Sequence, residues 1–243
     1  MELGALVRDF TSGPDQDSQW EAVTTDATGR VFVLQEYPGH VFVFAPALDA
    51  LVAALALDMP DEDGWQRAWL KDENARGEAL ALLKKGHLLV VKQRKPRLIE
   101  FGPREHEPAG LSPHTLLSEE EAFEIAGDEL SPLASWGLGD SDAERFEDVC
   151  DAAVSDAGAL YLVSSKSSRI ARVEPAAPGD NHATLTDFAD LPSEIPMAEA
   201  RTFVEPGLAL VGSDEPAASG DNLFTVRLPD ERGRRPPSLS TSA

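Results

Sequence analysis

Four stretches of this chain repeat one grammar: an acidic residue followed by a small one, a strand-like run, a tight turn, a more apolar run, another turn and a third run. The first passes from Trp20-Glu21-Ala22-Val23 through Val31-Phe32-Val33-Leu34 to His40-Val41-Phe42-Val43-Phe44, and the second from Gly77-Glu78-Ala79-Leu80 through Leu88-Leu89-Val90-Val91 to Arg97-Leu98-Ile99-Glu100-Phe101. The third aligns Cys150-Asp151-Ala152-Ala153-Val154, Leu160-Tyr161-Leu162-Val163 and Arg169-Ile170-Ala171-Arg172-Val173. The fourth aligns Ala198-Glu199-Ala200-Arg201, Leu208-Ala209-Leu210-Val211 and Leu223-Phe224-Thr225-Val226. A repeat of this size decides the architecture, because a unit that cannot bury its own apolar faces must stack on its neighbours.

Short runs rich in Val, Leu and Phe, bounded by Gly, Pro and Asp, are the composition of antiparallel hairpins. The second run of each repeat is nearly continuous in apolar residues, as expected for a sheet covered on both faces, and blades of a β-propeller are covered in that way. The expected fold is therefore all-β, a β-propeller with four visible blades over residues 1–229, followed by a disordered tail at 230–243. Leu51–Leu57 and His182–Phe188 fit outer strands of the first and third repeats, Thr115–Leu117 is a weaker match for the second, and the fourth has none in view. Residues 118–136 start with Ser118 and Glu121 in capping-box spacing, which predicts a short acidic helix outside the ring. Leu3 to Phe10 reads as an unpaired apolar strand. It would either complete the last blade, giving a monomer, or be the remnant of a fifth blade that the chain lacks, to be supplied by another subunit.

With 43 acidic against 21 basic residues the net charge is −22. A field of that sign repels nucleic-acid phosphates and anionic lipid and attracts cations or basic protein surfaces, so the expected partner is a protein or a small ligand rather than nucleic acid or membrane. No run approaches the roughly 18 apolar residues of a membrane helix, and the N-terminal stretch lacks the pattern of a secretion signal, which makes cytoplasmic the default expectation. The single cysteine, Cys150, has no internal disulfide partner and sits among acids that disfavour a thiolate, so it reads as a small core residue.

In a propeller the first strand of each blade lines the central channel. Glu21, Glu78, Asp151 and Glu199 begin those strands. Pointing inward at one level, they would offer carboxylate oxygens to a hard cation, with Ca2+ the natural candidate; alternatively each would accept N–H groups of the next blade and tie the ring together. The turn after the second strand contributes Gln35, Glu36, Lys92, Arg94, Ser164, Ser165, Lys166, Ser213, Asp214 and Glu215, of which Glu36, Lys92, Arg94, Ser165, Asp214 and Glu215 form the expected ligand rim. His40, His87, His106, His114 and His182 show no paired metal-ligand spacing, and Trp65 and Trp69 read as core or loop anchors.

Two of these stretches, Asn74-Ala75-Arg76-Gly77-Glu78-Ala79-Leu80 with Lys92-Gln93-Arg94-Lys95-Pro96, and Ile195-Pro196-Met197-Ala198-Glu199-Ala200 with Ser213-Asp214-Glu215-Pro216, resemble the strand starts and turns of the SdiA-regulated and esterase-like phytase β-propellers. The chain departs from that pattern in carrying Ala where the family has Gly after the acid, and in showing four blades where fuller members have five or more. The resemblance implies a calcium site and a phosphoester or carboxylic ester hydrolase. The residues themselves assemble no complete catalytic set, which points to a non-catalytic binding or interaction module with an acidic channel rim.

Overall fold

A computed structural model describes residues 3–10, 19–61, 64–71, 76–118, 120–195, 197–214, 222–228 and 239–240. Sixteen of its seventeen strands form four blades of four antiparallel strands. The first holds β1 (Trp20–Thr25), β2 (Val31–Gln35), β3 (His40–Phe44) and β4 (Leu51–Leu57), and the second β5 (Gly77–Leu82), β6 (Leu88–Lys92), β7 (Arg97–Gly102) and β8 (Glu129–Leu138). The third holds β9 (Val149–Val154), β10 (Leu160–Ser164) and β11 (Arg169–Val173), then, beyond the short β12 (His182–Ala183), β13 (Leu185–Asp190). The fourth holds β14 (Ala198–Glu205), β15 (Leu208–Ser213), β16 (Leu223–Arg227) and β17 (Leu239–Ser240). The innermost strands β1, β5, β9 and β14 pack one against the next. The fold is a β-propeller. Blades 1 and 2 are also stitched at their outer edges by a parallel pair, Ala56 opposite Glu129 and Leu57 opposite Leu130, and β12 pairs with β8 in parallel.

Period-2 alternation explains why the central strands are apolar throughout. On β6, Leu88 and Val90 face blade 1 together with Phe32, Leu34 and Val41, whereas Leu89 and Val91 face blade 3 together with Leu160 and Leu162. On β10 the remaining residues, Tyr161 and Val163, meet Ala209, Val211 and Phe224 of blade 4. Three such cores join four blades in series. Blade 1 turns its other face, Val33, Phe42 and Phe44, toward Val7 of α1 (Leu3–Val7), while on β15 Leu208, Leu210 and Gly212 are only half-buried. Among the described residues no apolar core joins blade 4 to blade 1, and a cleft of about 540 Å3 lies between them.

Several sequence expectations are corrected. Leu3 to Phe10 is not a strand: α1 and a 3-10 turn over Arg8–Phe10 lay apolar side chains across blade 1 instead. The expected helix at 118–136 is absent among the described residues, and its second half is β8, which takes the outer position expected for Thr115–Leu117. Ser118 N and Oγ do bond Glu121 Oε2, at 3.1 and 3.0 Å, but non-local bonds win beyond that turn. Ala27 N donates to Glu121 O at 3.1 Å, Phe123 N donates to Asp26 Oδ2 at 3.0 Å, and Phe123 packs edge-on against Phe32. Gly86, at φ +73°, lets this segment cross closely, since a Cβ there would lie 2.6 Å from Glu124 O. Within the tail expected to be disordered, Leu239–Ser240 forms the outer strand that blade 4 was thought to lack; 229–238 and 241–243 lie outside the described residues.

Because α1 covers a face that no blade covers, Val7, 0% exposed, is expected to matter far more than an open-face residue such as Val204, 54% exposed. Val7→Asp should lower Tm by at least about 5 °C and Val204→Asp by less than about 2 °C, read by circular dichroism.

Candidate axial site

Every blade carries a β-bulge near the start of its first strand. Trp20 pairs with Gln35 and Ala22 with Leu34, which leaves Glu21 as the extra residue; Glu78 is extra between Gly77 and Ala79, Cys150 between Val149 and Asp151, and Glu199 between Ala198 and Ala200. Bulges re-aim side chains without ending the ladder. The pairing also moves the sequence alignment of the third repeat by one residue: Cys150, not Asp151, occupies the place of the three glutamates. Opposite the residue before each bulge stand Gln35, Lys92, Ser164 and Ser213, all buried polar groups on one level of the ring.

Glu21, Glu78 and Glu199 act on one another electrostatically. Burial, followed by the negative charges of Glu21, Glu36 and Glu199, pushes the Glu78 carboxyl up to about 8, and Arg94 opposes this only in part. Burial, with Asp214 and Glu21 adding to it, raises Glu199 to about 7. Glu21 is raised by burial and eased by a hydrogen bond with Glu78. Cys150 lies buried beside them, its thiol donating to Ala198 O at 3.0 Å, and burial together with Glu199 and Asp151 holds it well above the ordinary thiol range. A nucleophilic thiolate is disfavoured there.

Asp151 does a different job. It accepts Arg201 N at 2.5 Å from the first strand of the next blade, and burial raises it to about 7 against the pull of the Arg201 guanidinium. Arg201 is itself buried, donates from Nη2 to Tyr161 O at 3.1 Å and stacks over Tyr161 and Phe203. Asp151 is thus an inter-blade tie. Glu36 plays the same part between blades 1 and 2, where its Oε1 accepts Arg76 N at 2.7 Å.

The expected rim divides. Glu36, Arg94 and Asp214 act on the axial glutamates, and Arg94 also lines, with Lys92, a second cleft of about 580 Å3 beside Lys95, Arg97 and His182. Ser165 closes the β10–β11 turn through its carbonyl, which accepts Ser168 N at 3.1 Å, and Lys166 pairs with Glu147 on the surface. Glu215 lies outside the described residues, as do Asn74, Ala75, Pro196 and Pro216 of the quoted motifs. Among the described residues no three His, Cys, Asp or Glu side chains converge closely enough to hold a metal ion as they stand. The channel continues past the bulges into a cavity of about 600 Å3 that reaches Thr24, Thr25, Arg201 and Thr202.

Sequence reasoning missed Arg76 and Arg201, the buried cations behind the two ties. His87, which showed no metal-ligand spacing in the sequence, stands just before β6 and is fully buried, with Nδ1 2.6 Å from Glu100 Oε1 and Nε2 3.1 Å from His106 Nδ1. A signal existed for His87: Glu100 is a charged residue set among the apolar Leu98, Ile99 and Phe101.

No family model and no curated protein sequence matches the chain. Among solved structures it is similar to a protein of unknown function from Bacteroides caccae, with a TM-score of 0.52 and 10% identity over 89% of this chain and 66% of that one. It is also similar to virginiamycin B lyase from Staphylococcus aureus (TM-score 0.46, 12% identity, 93% and 56%) and to the Malassezia sympodialis allergen Mala s 1 (0.48, 14%, 88% and 61%). The chain therefore spans less than two-thirds of the length of each. Identities this low bear on the fold alone. No helix among the described residues is long and apolar enough to cross a membrane.

A carboxyl raised in the fold binds its proton more tightly there than in the unfolded chain, so its ionisation weakens the fold as pH rises through the raised value. With Glu78 at about 8 and Glu199 at about 7 against an ordinary value of 4.5, stability should fall from about pH 4.5 to about pH 8 and level off above that. Glu78→Gln should flatten that fall and raise Tm at pH 9 by at least about 5 °C relative to the parent chain, measured by thermal melts across the range.

Proposed function

We propose that this chain is a non-catalytic β-propeller binding module whose axial carboxylates hold a cation. The observation that carries the reading is the placement of Glu21, Glu78 and Glu199 at one structural position in three blades, close enough that Glu21 and Glu199 make Glu78 harder to ionise and Glu21 does the same to Glu199. Such groups gain most from a positive charge brought among them. Glutamate oxygens suit a hard ion, and Ca2+ is the candidate; Glu21, Glu78 and Glu199 would have to draw closer than they stand to hold it, and the ion would supply a fixed positive charge at the channel mouth. The ligand presented there would be a protein segment or a small molecule. The resemblance to SdiA-regulated propellers agrees with a calcium site on this fold.

One observation favours a second reading, a calcium-dependent phosphoester or carboxylic ester hydrolase. Glu21 and Glu78 are hydrogen-bonded carboxyls, one of them protonated near neutral pH, and such a pair is able to act as acid and base.

Isothermal titration with CaCl2 tests the first reading. Binding must displace the Glu78 proton at pH 6.5 but much less at pH 8.5, so affinity should rise at least about tenfold between them, and Glu78→Gln should weaken it and remove most of the pH dependence. Turnover of 4-nitrophenyl phosphate or acetate that requires Ca2+ and is lost in Glu78→Gln would move the assignment to the hydrolase, and no heat with Ca2+ at either pH would end the cation reading.

A further inference from the structure

The cleft between blades 4 and 1 combines three features. Its walls are apolar and only partly covered: Val31 of β2 and Leu48 on one side, Leu210 of β15 and Leu223 of β16 on the other, with Leu223 53% exposed. Its inner end carries Glu21 and Glu199, both raised by burial. Its lining also includes Trp20 on the blade 1 side, whose Nε1 has no hydrogen-bond partner among the described residues.

Each feature asks for a different part of an occupant. Apolar walls ask for apolar side chains, the carboxylates ask for cations, and the indole N–H asks for a carbonyl oxygen. An extended polypeptide supplies all three, since its backbone presents C=O groups at regular intervals while its side chains alternate. A second copy of this chain is a poor fit, because each copy brings a charge of −22 to the other. We propose that the cleft between blades 4 and 1 docks an extended peptide segment of a partner protein, one that carries basic and apolar side chains in alternation. The site shares Glu21 and Glu199 with the proposed cation centre but does not use Glu78, so the two readings fail separately.

The test is titration of the full chain with a short fluorescein-labelled peptide alternating lysine and valine, followed by anisotropy, with a glutamate–valine peptide and hexylamine as controls. The lysine–valine peptide should bind saturably, and the glutamate–valine peptide and hexylamine should not. The Leu210→Ser, Leu223→Ser double variant should weaken binding by at least about tenfold while its thermal melt stays close to the parent's, because both residues are partly exposed. Glu199→Gln should weaken it as well, and the affinity should persist in EDTA whatever the CaCl2 titration gives, which keeps the two readings distinguishable. Undiminished affinity in the double serine variant would reduce the effect to general attraction of cations and overturn the proposal. Hexylamine binding as tight as the peptide's would overturn it in favour of a small amine. A dimer in sedimentation velocity that the double variant dissociates would give the cleft to a second copy.

Discussion

Every residue of β6 and β10 is buried, so blades 2 and 3 can exist only with a sheet against each face. That requirement orders the molecule. Blades 2 and 3 each supply half of two cores, and removing either would strip its neighbours of about the same apolar area that it loses itself. The terminal blades cannot satisfy the rule in the same way. Blade 1 solves it locally by folding α1 over Val33, Phe42 and Phe44, while blade 4 keeps one apolar face on blade 3 and leaves the other half open.

Stacking alone would let blades slide, and the polar ties across the junctions set their register. Glu36 accepts the Arg76 amide, Asp151 accepts the Arg201 amide, and Asp26 gathers Thr28, Arg30 and the Phe123 amide under blades 1 and 2. In each tie a carboxylate receives backbone N–H groups that would otherwise be buried without partners. Asp26 is held at about 2: burial works against this, and the hydrogen bonds from Arg30, Thr28 and Phe123 outweigh it. Asp151 is raised, because it is enclosed more completely than Arg201 can offset. The same residue type thus serves one purpose with opposite titration, and the bulged glutamates, which receive no such set of amides, stand apart as the groups whose charge the fold does not use.

Hairpins, blade number and the common place of Glu21, Glu78 and Glu199 were legible because they depend on local composition and period. What escaped depended on pairing across distance. The third repeat was misaligned because Asp151-Ala152 copies the acid-alanine pattern of its siblings, and only the ladder, with Val149 opposite Ser164 and Asp151 opposite Val163, shows that Cys150 is the bulged residue. The capping box at Ser118 and Glu121 forms, yet helix continuation loses to the amide and ring contacts of Phe123. Leu3 to Phe10 is apolar enough for a strand, but a short helix can lay the same residues on one sheet face without presenting a strand edge. In the fourth blade the outer strand comes from a polar tail whose composition argues against order, and only two residues of it pair.

The strong negative charge and the open face of blade 4 are parts of one solution. An uncovered apolar sheet face beside a cleft is the feature by which propellers of this kind would stack on one another, and a solution of identical molecules is the most concentrated source of a complementary surface. A charge of −22 opposes that encounter at every orientation and does so over a Debye length of about 8 Å at physiological salt, well before apolar contact is made. The same field leaves a basic segment free to approach. In the proposed reading charge acts as a filter on what reaches the apolar cleft, and the axial glutamates, held above their ordinary range first by burial, are the groups that a cation arriving there would relieve.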